Sequence, residues 1–127
     1  MKDTAASPKR IPSYETLEKR FVAGVMKTAD VDYGSPASVR RNNRGVDAYR
    51  KAAAEIGTYH PNEISRFAAL LTHKHPKLRI CAAVCLVELM PSPADVRDAA
   101  LNQVKRRRDE TDGHERMGWE RWLERHG

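Results

Sequence analysis

Prolines at positions 12, 36, 61, 76 and 93 divide the chain into segments, and apolar residues recur three and four apart between them. Proline lacks an amide hydrogen and fixes φ, so it breaks a helix interior yet suits a first turn. Spacings of three and four put side chains on one stripe of an α-helix. Together the two signals predict a series of helices, each opened at a proline. No segment alternates with period two, so the expected class is all-α.

The first helix follows Pro12 with Ser13 as N-cap, and its stripe is Tyr14, Leu17, Phe21 and Val25. Ser35-Pro36 supplies an N-cap and a first-turn proline for the second, whose stripe is Val39, Asn42, Val46, Tyr49, Ala53 and Ile56. Gly57 reads as the residue that ends it. His60-Pro61 opens a third helix with Ile64, Phe67, Leu70 and Leu71 inward, and His75-Pro76 opens a fourth. The fourth carries Leu78, Cys81, Ala82, Cys85, Leu86 and Leu89 on one face and Ile80, Val84 and Val87 elsewhere. A helix apolar nearly all round belongs at the centre of a domain. Ser92-Pro93, with Asp95 completing a capping-box-like pattern, opens the fifth, where Val96, Ala100 and Val104 point inward. Asp112 is placed to cap a sixth, with Trp119, Trp122, Leu123 and His126 on one face. Short connections favour antiparallel neighbours, giving about six helices in three hairpins. Residues 1–12 read as a flexible basic lead-in and residues 13–127 as a single domain.

The stretch "ISRFAALLTHKHPKLRICAAVCLVEL" resembles a HEAT-type repeat. One helix ends in Leu70-Leu71, a short turn reaches His75-Pro76, and a second helix begins Leu78-Arg79 and continues through Ala82-Ala83 to Leu86. More narrowly, residues about 35 to 105 resemble a bacterial family of short HEAT-like domains of unknown function, in which an asparagine-bearing helix precedes this hairpin. The resemblance implies a HEAT-like α-α superhelix in which Arg79 bonds the carbonyls of the turn. It brings no catalytic residues. Several small HEAT-like bacterial proteins are immunity proteins that bind a cognate toxin, an analogy of fold only.

Two asparagines and two basic clusters are the candidate sites. Asn42 stands on an otherwise apolar stripe, and a buried amide must be hydrogen-bonded. Either it bonds backbone at a neighbouring turn and fixes the hairpin register, or Asn42 and Asn43 form part of a polar groove. Arg40, Arg41 and Arg44 form one basic cluster, and Lys105, Arg106, Arg107 and Arg108 form the other. Each has acids at spacings of three and four, so a solvated, ion-paired face is the plain expectation. If the clusters align, they present a surface for an acidic partner or for phosphates. Trp119 is the expected interface anchor, because tryptophan is enriched at binding hot spots, while Trp122 beside Leu123 is expected to be buried.

The formal net charge of +6 draws the chain towards anionic partners without choosing among them. His73, His75, Cys81 and Cys85 match no common zinc spacing, and both cysteines lie on an apolar face. The expectation is therefore no metal and reduced thiols in a cytoplasmic setting. There is no glycine-rich phosphate loop, nucleophile elbow or HExxH motif. The sequence accordingly points to a non-catalytic, cofactor-free protein-binding domain. Its partner-binding residues would be Arg40, Arg41, Asn43, Arg44, Arg106, Arg107 and Trp119, and its partner an acidic protein, with a toxin the most concrete instance. The alternative is a nucleic-acid-binding module using the basic clusters.

Overall fold

The computed structural model describes residues 10–127. They form six α-helices: α1 Tyr14–Lys27, α2 Pro36–Tyr59, α3 Ile64–Phe67, α4 Pro76–Glu88, α5 Ala94–Asp109 and α6 Gly113–His126. No strand occurs among the described residues. No helix among them is long and apolar enough to cross a membrane. Residues 1–9 of the expected lead-in lie outside the described residues. Pro12 is held in place, its carbonyl accepting a 2.7 Å bond from His60 Nε2.

Two of the expected caps form. Ser13 accepts from the Thr16 amide, and Ser35 accepts from the Ser38 amide ahead of Pro36. The Ser92 hydroxyl instead turns back to donate to the Leu86 carbonyl, leaving Pro93 at the cap of α5. Asp112 occupies the cap of α6 without a side-chain bond to it. The third segment is also less regular than its stripe predicts. Only α3 is α-helical, and 3₁₀ turns at Pro61–Glu63 and Ala68–Thr72 flank it. A proline turn bounds it at each end, and short 3₁₀ pieces are the usual way to fit such a connector. Its inward residues Ile64, Phe67 and Leu71 are still buried.

Three hairpins result. In the first, Gly45 of α2 meets Gly24 and Lys27 of α1, and Phe21 meets Tyr49 edge-on at 5.6 Å, so the helices run antiparallel. A Cβ on Gly45 would lie 2.6 Å from the Gly24 carbonyl oxygen, so the backbones touch where no side chain fits. Phe21 also packs on Phe67 at 4.8 Å, joining this hairpin to the α3–α4 hairpin. There Arg79 donates to the carbonyls of His73 and Lys74 and closes the turn. In the third, Arg97 bonds the His126 carbonyl and Arg107 pairs with Glu115, so α5 and α6 are also antiparallel.

Helix α4 is central, with Leu78, Ile80, Cys81, Ala82, Ala83, Cys85, Leu86 and Val87 all buried. Gly57 does not end α2. The helix continues to Tyr59, and a Cβ at Gly57 would meet the Leu89 carbonyl oxygen at 3.2 Å. The glycine admits the α4–α5 turn rather than a left-handed cap.

Candidate binding groove

Helices α2, α4 and α6 run the same way. Tyr49 lies by Cys81, Arg50 pairs with Glu88, Glu115 shares a cleft with Lys77, and Trp122 bonds Glu88. Between them is an open groove of about 400 Å³. Its floor is one stripe of α4, from Lys77 through Ile80, Cys81 and Val84 to Glu88. Tyr49 forms one wall, and Trp119 and Trp122 form the other, their rings edge-on at 6.5 Å. A second shallow cleft on the far side of Trp119, bounded by His114 and Arg125, leaves that indole approachable from both flanks.

Glu88 organises one end. It accepts the Trp122 indole N–H at 2.6 Å and an Arg50 guanidinium N–H at 3.0 Å, with His126 Nε2 4.0 Å away. Burial pushes its carboxyl up, but the bonds from Trp122 and Arg50 outweigh burial and hold it below the usual range. At the other end Glu115 accepts from the Trp119 indole at 3.2 Å and from Arg107 at 2.9 Å. The Trp119 bond, followed by Arg107, lowers its carboxyl. Burial raises both thiols, Cys85 more than Cys81, and burial with the adjacent Cys81 raises the Tyr49 phenol. A raised thiol is protonated at neutral pH and is a poor nucleophile and metal ligand. Among the described residues no three His, Cys, Asp or Glu side chains gather closely enough to hold a metal ion.

The expected partner-binding residues do not form one surface. Arg107 and Trp119 line this groove, and Arg107 also lines, with Arg106, Pro76, Arg79 and Glu110, a small adjoining cleft. Arg40, Arg41, Asn43 and Arg44 are exposed on the first turns of α2. Arg41 and Arg44 stand seven residues before Ala48 and Lys51, which line a different cleft against α1. The ion pairs expected around the α2 arginines do not form among the described residues, while Arg106, Arg107 and Arg108 pair with Glu110, Glu115 and Asp109.

Asn42 corrects a second expectation. It is only half-buried, and no hydrogen bond reaches its amide among the described residues. The reason is axial. The buried part of α2 begins at Gly45, which packs on Lys27 at the end of α1. Asn42 is on the core-facing stripe, but one turn beyond the helices that would cover it. The groove residues missed by sequence reasoning are Tyr49, Lys77 and the two carboxylates. Glu88 carried a signal, as an acid inside the apolar run "CLVELM". No family model, no curated protein and no solved structure matches the chain.

Proposed function

We propose that the chain is a non-catalytic binding protein of HEAT-like design that receives a segment of another protein in the α2–α4–α6 groove, with Trp119 as its anchor. The observation that carries this is Trp119 itself. It is a partly exposed indole flanked by open clefts on both sides and fixed in orientation by its bond to Glu115. A preorganised aromatic beside an apolar floor is the usual make-up of a binding hot spot. The polar groups favour binding over reaction. Both carboxylates are committed to indole and guanidinium donors, and the thiols are buried and protonated.

The groove lining is charge-balanced, Lys77 and Arg107 against Glu88 and Glu115 with Arg107 paired to Glu115, so the preference for an acidic partner segment rests on Lys77 and on the net charge of +6. The likeness of residues 35–105 to HEAT-like bacterial domains makes neutralisation of a cognate toxin in a bacterial cytoplasm the most concrete form of this role. The test is affinity capture of the partner followed by titration with purified components. Trp119→Ala is expected to weaken binding by about 30-fold, the loss of roughly 2 kcal/mol typical of a hot spot. Lys77→Glu is expected to slow association with an acidic partner. A partner whose affinity is unchanged by both substitutions, in variants shown to be folded, would refute the groove.

A further inference from the structure

The face of the first hairpin turned away from the groove carries a different chemistry. A cleft of about 240 Å³ runs along the seam of α1 and α2. Its floor is made of small residues, Gly24, Ala48 and Ala52, and its edges are Arg20 and Lys27 from α1 and Lys51 from α2. Arg41 and Arg44 extend the α2 edge, seven residues before Ala48 and Lys51 and so two turns along the same stripe. A neighbouring cleft adds Arg10 at the other end, together with Ile11 and Tyr59. Glu55 is the one acid lining either cleft, and none of these cations makes an ion pair among the described residues.

We infer that this seam is a track for the phosphate backbone of duplex nucleic acid, bound without reading base sequence. Three features favour that ligand over an acidic protein. The α1–α2 cleft lacks any aromatic or large apolar side chain, and a stable protein interface draws most of its affinity from such anchors. Its cations recur along a straight edge, which suits a repeating charge. From Arg41 to Lys51 the α2 edge spans about 15 Å at the helical rise, the axial length of roughly four base-pair steps of a duplex. The lack of stacking rings in that cleft also favours a duplex over a single strand. The seam and the groove lie on different faces, so the inference does not rest on the protein-binding role.

The test is fluorescence anisotropy of a labelled mixed-sequence DNA duplex of about 20 base pairs, titrated with the full chain. With about four phosphates neutralised, affinity should fall about 100-fold between about 50 and about 200 mM salt. Arg44→Glu combined with Lys51→Glu should abolish most binding at low salt. The neutral set Arg41→Gln, Arg44→Gln and Lys51→Gln covers the case in which charge reversal disturbs folding, and should weaken binding at least tenfold. Trp119→Ala should bind the duplex like the parent, so failure here and failure of the groove are separately visible. The inference is overturned by no duplex binding at low salt, by an affinity flat with salt, or by unchanged binding in both charge variants. Competition by polyglutamate at equal charge concentration as strong as by unlabelled duplex also overturns it, and would mark the seam as an acidic-protein surface.

Discussion

The same substitution, glycine to alanine, should move stability in opposite directions at two helix-interior positions. Alanine is favoured over glycine within a helix by about 1 kcal/mol, because glycine loses more backbone freedom on folding. At Gly118, midway along α6, nothing lies within 4 Å of an added Cβ. Gly118→Ala should therefore gain about 0.5–1 kcal/mol and raise the melting temperature by about 2–4 °C. At Gly45 the added Cβ would sit 2.6 Å from the Gly24 carbonyl oxygen and 2.8 Å from Lys27 Cβ. The carbonyl is backbone and cannot rotate aside, so α1 and α2 must separate by roughly half an ångström or more in a close-packed interior. Phe21, which touches Tyr49 on α2 and Phe67 beyond, would be pulled from one or the other. Overpacking costs about 1–3 kcal/mol, and a contact with backbone that cannot turn aside falls at the upper end, about 2–3 kcal/mol, against a propensity gain of about 1 kcal/mol. The net is a loss of about 1–2 kcal/mol and a fall of about 3–8 °C. Thermal unfolding of the two single variants, followed by circular dichroism at one pH and concentration, reads both signs. A rise in both melting temperatures would refute the backbone contact that brings α1 and α2 together.

Glu88 should make stability fall in acid. Its folded carboxyl lies below the ordinary value of 4.5, so its contribution is fully present above that pH and is lost as pH falls through the lower folded value. Thermal melts from neutral to acid pH should show a shallower decline for Glu88→Gln than for the parent, and equal slopes would contradict the assignment. Glu88→Ala, which leaves the buried Trp122 N–H without its acceptor, should cost about 2–3 kcal/mol at neutral pH by chemical denaturation, whereas a loss below about 0.5 kcal/mol would mean that water replaces the carboxylate. Cys81 and Cys85 are buried and raised, so a thiol reagent at neutral pH should label neither within the time that labels both in denaturant. Rapid labelling of the native protein would place the groove floor in open solvent.

Element type was legible because it depends on local periodicity. The stripes of α1, α4 and α5, the caps at Ser13 and Ser35, and the centrality of α4 all follow from residues within a few turns of one another. What failed depends on neighbours distant in sequence. Gly57 looks like a helix terminator until the turn at Leu89–Pro91 is seen against it. Gly24 and Gly45 carry the sharper version of the same signal. A glycine inside a helix is costly, and one within each of two consecutive helices marks the place where backbones meet. Ser92 looks like a cap for α5 until the Leu86 carbonyl, six residues earlier, takes its hydroxyl.

The candidate site was less legible than the fold for a geometric reason. Periodicity assigns a residue to an angle around its own helix, but not to the neighbour that covers that angle or to the height at which the cover ends. Asn42 had the right angle and the wrong height, one turn past the packed part of α2. Arg44 and Arg107 each stood in a basic cluster, yet the first lies seven residues before Lys51, on an extension of the α1–α2 seam, and the second lines the groove with Trp119. The seam and the groove share no lining residue, so on the proposed roles their charges act on separate ligands. Reversing Arg44 should therefore leave binding at Trp119 intact, and binding studies that treat the +6 charge as one surface would average over two.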